Sequence, residues 1–305
     1  MLRDLKYAAA LARHSGYRRA AQSLDISQSK LSRAIQALEE RLGLTLFERS
    51  ASGATLTPEG RLALEAINNL LKAEQVFDTK ISQIRRRSAE AIRVGVGPVV
   101  QTTWGPDAVS NLARVRPDVE LSIREVEWWK LPDAALGGEF DIVFGECSEA
   151  EANPEIVIER FPERAAGLFV RAGHPLDGVT NVTLARLIDY PLAAPRLPGR
   201  IGRFIGVEGK LGRMSSSDDH FLPMIETTSP KSIVDIVRVS NAVGLSLRSL
   251  CAEALAERTI VELPFSAPWL SIRQGIMHRR GLRLSPATRA LCAAAKAAER
   301  AYFTR

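Results

Sequence analysis

The chain has 305 residues, 46% of them hydrophobic and 25% charged, with 41 Lys and Arg against 35 Asp and Glu for a net charge of +6. That length suggests two or three units, each large enough to bury a core, and the basic balance favours a polyanionic partner without requiring one. Three widely spaced cysteines, Cys147, Cys251 and Cys292, argue against a disulfide framework and for a reducing cytoplasm, and no stretch approaches the roughly 18 uninterrupted apolar residues of a membrane span.

At the N-terminus, Arg3, Asp4 and Lys6 precede a short apolar stretch that is too brief for an export signal, and no element is assigned there. From residue 18 the pattern becomes helical: Ala20, Ala21 and Leu24 share a face, with small residues where one helix must pass close to another. Asp25-Ile26-Ser27 then supplies a polar turn, an apolar plug and a hydroxyl that can cap a new helix. In that second helix Leu31, Ala34, Ile35, Leu38 and Leu42 recur at spacings of three and four, which leaves Gln28, Ser29, Lys30, Ser32, Arg33 and Gln36 on the polar side. A helix in the major groove needs such a face, because Arg and Lys reach guanine acceptors, Gln suits adenine and serines suit phosphates. The same spacing also suits an ordinary amphipathic hairpin. The next residues of the chain favour a helix-turn-helix: Gly43 can end the helix, Ser52-Gly53 reads as the turn of a two-stranded wing, and Thr57 with Pro58 opens another helix.

These residues resemble the LysR-type transcriptional regulator family. The matching string runs through Ala20-Ala21, Leu24, Ser27-Gln28-Ser29, Leu31-Ser32-Arg33, Ile35, Leu38-Glu39, Leu42-Gly43, Leu46-Phe47-Glu48-Arg49 and Leu56-Thr57 to Gly60. Proline is frequent in the family where this chain has Ser29, and Gly-Ser-Phe where it has Ser15-Gly16-Tyr17; neither change removes a basic residue. The resemblance implies that the helix from Ser27 reads the major groove and that the wing touches the phosphate backbone. The candidate DNA-contact set is Arg19, Gln28, Ser29, Lys30, Ser32, Arg33, Gln36, Arg49, Ser50 and Thr57.

Residues 61–87 lack glycine and proline and repeat apolar side chains at Leu62, Ala66, Leu70, Ala73, Phe77, Ile81 and Ile84, which predicts a long helix with one adhesive seam. Pairing with a second copy is the preferred use, as the resemblance also implies, and packing back on the same chain is the alternative. Arg85-Arg86-Arg87 suits the negative end of the helix dipole. Beyond Ser88 the pattern alternates: strands are expected at 91–96, 119–126, 141–144, 166–171, 192–194 and 243–247, and helices at 104–115, 131–136, 229–240 and 286–302. Such alternation predicts parallel sheet with crossover helices in two open α/β lobes.

The fold class is therefore α/β: an N-terminal winged helix-turn-helix (1–60), a linker helix (61–88) and, as the resemblance implies, a two-lobed periplasmic-binding-protein-like effector domain (89–305). Lobe I takes about 89–163 and 268–305, and lobe II about 164–267, with the chain crossing near 161–166 and 264–273. A ligand should sit where strand ends meet helix starts, since free amides attract polar or anionic groups. Two helix starts rich in hydroxyls mark candidates, Val100-Gln101-Thr102-Thr103 and Thr227-Thr228-Ser229, although capping alone would select the same residues. The family reading adds Gly145, Glu146 and Arg196; an arginine at that place suits a bidentate carboxylate clamp and, equally, a plain exposed loop position.

His14, His174, His220 and His278 have no partners at metal spacing, Gly95-Val96-Gly97 is too short for a nucleotide loop, and there is no hydrolase elbow. Trp128-Trp129 more often closes a core or a subunit contact than stacks on a ligand. The reading is a cytoplasmic, non-enzymatic DNA-binding regulator that needs no metal or cofactor. Its expected partners are double-stranded promoter DNA, a small-molecule effector that can be anionic, a second copy in a dimer or tetramer, and RNA polymerase, with no membrane. A constitutive repressor, or an α/β enzyme with a helical dimer arm, are the competing classes.

Overall fold

Asp25-Ile26-Ser27 sets the geometry of the N-terminal unit. Asp25 adopts a left-handed conformation (φ 53), which aspartate tolerates better than bulky residues do. The Ser27 hydroxyl accepts the Lys30 amide at 3.3 Å, so the helix Gln28–Leu42 starts where the sequence places its cap. Gly43, also left-handed (φ 66), returns its N–H to the Glu39 and Glu40 carbonyls and stops it. In this computed structural model residues 1–50, 53–85, 90–205 and 209–304 are described. The chain divides into Met1–Arg85 and Arg86–Arg305.

In the first unit, Leu31, Ile35 and Leu38 are fully buried against Ala20 and Ala21 of the helix Tyr17–Ser23. A further helix, Leu2–His14, supplies Leu5, Ala8 and Leu11 to the same core. The sequence reading assigns no element there, although Leu5, Ala8, Leu11 and Ala12 recur at spacings of three and four, as on one face of a helix. Phe47–Ser50 and Gly53–Leu56 pair antiparallel, Phe47 opposite Leu56; Ser52 of the expected turn lies outside the described residues. Glu39 fastens this wing to the preceding helix, its carboxylate accepting the Leu46 amide at 2.7 Å and the Phe47 amide at 3.0 Å. Glu39→Ala should cost about 1–3 kcal/mol by stranding those amides, read as a lower unfolding midpoint; an unchanged midpoint would show that water replaces the carboxylate.

The linker helix Pro58–Arg85 has 28 residues, about 42 Å at the usual rise. Ala63, Ile67 and Leu71 pack on the helix-turn-helix core. The expected seam lies on another side: Leu62, Leu70 and Phe77 are 71%, 44% and 61% exposed, and Ala66 and Ala73 are exposed with them. The side chains of Ile81, Ile84 and Arg85, and the whole of Arg86 and Arg87, lie outside the described residues.

The second unit holds two five-stranded sheets. The first runs in the order Glu120–Glu125, Ala91–Val96, Ile142–Glu146, Gln274–Arg279, Ile156–Arg160, and the second Ile225–Glu226, Leu192–Ala194, Val243–Ser246, Gly167–Arg171, Ile260–Glu262. Neither is wholly parallel, contrary to the sequence expectation. Gln274–Arg279 is antiparallel to both neighbours, and Gly167–Arg171 to both of its own. These strands enter from the other sheet rather than through a crossover helix, so nothing forces them parallel. At the two passages, Arg164–Ala165 and Ser271–Ile272 form their own short antiparallel pair. Helices Gly105–Val115 and Pro286–Thr304 cover one face of the first sheet and Leu131–Leu136 packs with the other.

Glu90 anchors the start of the last helix: its carboxylate accepts the Ala287 amide at 2.9 Å and pairs with Arg116 at 3.1 Å. Hydrogen bonds from Ser285 and Ala287, then Arg116, hold its carboxyl below the ordinary range. A depressed carboxyl contributes stability that is present above its unfolded pKa and lost as pH falls through the folded one. Glu90→Gln should therefore lower stability near neutrality by about 1 kcal/mol, the gap to wild type closing on acidification. A gap that does not change with pH would contradict this role.

Candidate functional site

On Gln28–Leu42 the apolar side is buried and the opposite side is open. Gln28, Ser29, Lys30, Arg33 and Gln36 are exposed, Ser32 is half-buried, and Arg19 is exposed on the preceding helix. Ser29, Arg33 and Gln36 follow each other at four and three positions, so they stand in one row along the helix. The Arg33 Nε donates to the Ser29 carbonyl at 3.4 Å. Thr57 requires a correction: it is 6% exposed, its hydroxyl donating to the Thr45 carbonyl at 2.7 Å and accepting the Gly60 amide at 2.8 Å. It caps the linker helix and has no surface left for DNA. The Arg49 and Ser50 side chains lie outside the described residues.

Between the two sheets of the second unit lies a cleft of about 830 Å³ including its mouth. Gly97 and Gly145 form part of its wall; a Cβ on Gly145 would come within 2.4 Å of the Leu131 Cδ1, which would have to shift, whereas one on Gly97 would meet only ordinary contacts of 3.4 Å or more. Val100, Gly145, Glu146, Arg196 and Thr228 of the expected set line the cleft. Gln101, Thr102, Thr103, Thr227 and Ser229 do not. The Thr102 hydroxyl donates to the Pro98 carbonyl at 2.9 Å and the buried Thr103 to Val99 at 2.6 Å. Thr227 accepts the Ser229 amide and Ser229 the Ser232 amide, each at 3.3 Å. These hydroxyls satisfy helix and turn backbone. Trp128, Leu197, Ile201, Ile233, Leu247 and Gln274 complete much of the wall, and sequence reasoning missed all but Trp128, which it assigned to core. Only Gln274, an isolated amide opening an apolar strand, carried a signal.

Arg196 is already engaged. Its guanidinium lies 4.5 Å over the Trp129 ring and 3.5 Å from both Asp218 and Glu226, so the clamp expected of it faces two carboxylates of the chain, while its buried Nε–H makes no hydrogen bond among the described residues. Nearby, Trp128 Nε1 donates to the Arg196 carbonyl at 2.7 Å and His220 bridges Glu149 (2.7 Å) and Asp218 (3.2 Å), tying the two sides of the cleft together. Burial pushes the Glu149 carboxyl up, opposed by His220. The three cysteines lie in three different cores, and burial raises Cys147 to about 12, Cys292 to about 11 and Cys251 above its usual value. Among the described residues no cluster fits a metal, and no helix is long and apolar enough to cross a membrane.

Residues 2–61 match the family profile described as bacterial regulatory helix-turn-helix protein, lysR family, and residues 85–300 the LysR substrate binding domain. The SDS degradation transcriptional activation protein of Pseudomonas sp. (strain ATCC 19151) is 28% identical over 295 residues, 95% of this chain and 94% of that protein. The DNA-binding transcriptional dual regulator OxyR of Escherichia coli K12 is 29% identical over 192 residues, 63% of this chain and 62% of OxyR. Full-length BenM shares the fold at a TM-score of 0.56 and 24% identity, covering 100% of this chain and 98% of its own, and CbnR at 0.57 and 18%, covering 98% and 99%. The chain belongs to the LysR family of bacterial transcriptional regulators, proteins that bind DNA through a helix-turn-helix and whose activity a small molecule modulates through the second domain.

Proposed function

We propose that on the open side of the helix Gln28–Leu42, Gln28, Arg33 and Gln36 read base edges in the major groove of promoter DNA, with Ser29, Lys30, Ser32, Arg19 and the wing residues Arg49 and Ser50 on phosphates. The single supporting observation is that burial divides Gln28–Leu42 into an apolar half inside the core and an open basic half. The exposed linker seam pairs two copies, which then form a dimer or tetramer on DNA in the cytoplasm, within reach of RNA polymerase. The domains divide at about residues 60 and 88, and the effector sits in the cleft between lobes. A cleft walled by two separate sheets favours this over a constitutive repressor, because a ligand touching both can bias their arrangement. Selection of binding sites from a random DNA pool tests the reading. An inverted repeat with half-sites about one helical turn, or a multiple, apart is expected; a pool without enrichment overturns it.

Several relatives are named hydrogen peroxide-inducible genes activators. A thiol switch is disfavoured for this chain, because each cysteine is buried and protonated within its own core. Operator occupancy should be unchanged by peroxide, and native protein should resist alkylation until denatured. Rapid labelling of any cysteine, or a peroxide-dependent footprint, would reverse that judgement.

A further inference from the structure

We propose that the cleft accepts an uncharged, predominantly apolar small molecule oriented by one hydroxyl or carbonyl, and discriminates against organic anions. This rests on the cleft being the effector site. Its charged groups face opposite charges within the chain, although the buried Nε–H groups of Arg196 and Arg200 make no hydrogen bond among the described residues and remain to donate to a ligand oxygen. Arg196 faces Asp218 and Glu226 at 3.5 Å each. Arg200 donates to the Ser271 carbonyl at 2.7 Å and the Trp269 carbonyl at 3.3 Å, and lies 3.4 Å from Glu146. Glu146 also accepts the Arg273 amide at 2.8 Å. Two guanidiniums therefore stand against three carboxylates, with Glu146 and Arg196 both on the wall itself.

The helix beginning at Pro230 adds little for an anion. Pro230 has no N–H, the Ser232 amide is taken by the Ser229 hydroxyl and the Ile233 amide by the Ser229 carbonyl, which leaves the Lys231 amide. A carboxylate entering here would meet Glu146 across an apolar wall, or would have to pull Arg196 from its two acidic partners. Either course removes a charge from water without compensation. Polar capacity remains for a neutral group: the Gln274 carbonyl is used by Trp104 Nε1 at 3.0 Å while its amide N–H₂ remains to donate, and the half-buried Thr228 hydroxyl lines the same space. The remaining wall, including Val100, Leu197, Ile201, Ile233, Leu247 and Leu250, is apolar, which suits a compact ring system or a medium alkyl chain.

The test is calorimetric titration of the full-length protein with two matched pairs, 2-naphthylmethanol with 2-naphthoate and 1-octanol with octanoate. At least one alcohol is expected to bind at one site per chain and at least tenfold more tightly than its carboxylate. Ile233→Trp and Leu247→Trp, which fill the cleft from different elements, should abolish that binding, and Glu146→Gln should narrow the gap between the carboxylate and its alcohol. A carboxylate that binds as tightly as its alcohol, and is blocked by the tryptophan variants, overturns the ligand class and leaves the cleft as the site. Binding unaffected by either folded tryptophan variant overturns the cleft itself as the site. No binding by any of the four compounds also overturns the proposal.

Discussion

Leu70→Glu is expected to convert the protein to monomers and to lower operator affinity by about a hundredfold or more. Leu70 is 44% exposed, between Leu62 at 71% and Phe77 at 61%, on a side of the linker helix that its own unit leaves uncovered. In a symmetric pair the substitution places two carboxylates opposite each other in an apolar seam, a desolvation cost of several kcal/mol. Losing the pair also removes the avidity of two half-sites on one operator. Light scattering reads the mass and a gel shift reads the affinity. Leu71→Glu is the internal contrast: Leu71 packs on the helix-turn-helix core, so its replacement should unfold that unit. If Leu70→Glu keeps the wild-type mass, the seam does not hold the copies together.

Arg33→Ala is expected to cost about 1–3 kcal/mol at the selected operator and to relax preference at one base pair, as loss of a bidentate contact to guanine would. Arg33 is exposed mid-row and, among the described residues, is held by a 3.4 Å contact to the Ser29 carbonyl, so it can swing to a base edge. Lys30→Ala should behave differently: it should weaken all duplexes similarly and reduce the salt dependence by about one released counterion. Equal specificity profiles for wild type and Arg33→Ala would take Arg33 out of base readout, and the row would then grip backbone alone.

The N-terminal unit is largely legible in the sequence because its determinants are local. The Ser27 cap, the Gly43 stop, the apolar spacing from Leu31 to Leu38 and the Thr57-Pro58 start each act within a few residues, at the range where side chain and backbone compete for the same hydrogen bonds. The first helix is the exception: Leu5, Ala8 and Leu11 keep helical spacing, yet the sequence reading assigns no element there. In the second unit, elements such as Leu131–Leu136 and Leu192–Ala194 also arise from local pattern.

Residue pattern alone thus specifies the helix-turn-helix, the linker seam and the α/β alternation. Which strands pair, and what the cleft is made of, depends on contacts between distant parts of the chain. Gln274–Arg279 lies beside Ile142–Glu146 although more than a hundred residues separate them in the chain, and Arg196 meets Asp218 and Glu226 only after folding. Thr102 and Ser229 look like ligand groups until the fold shows their hydroxyls bound to local backbone, whereas Ile201, Ile233 and Leu247 look like core until it sets them around a cavity. The reason is physical: an apolar side chain that fills a core and one that lines a pocket are the same residue, and what distinguishes them is whether another chain segment arrives to cover it.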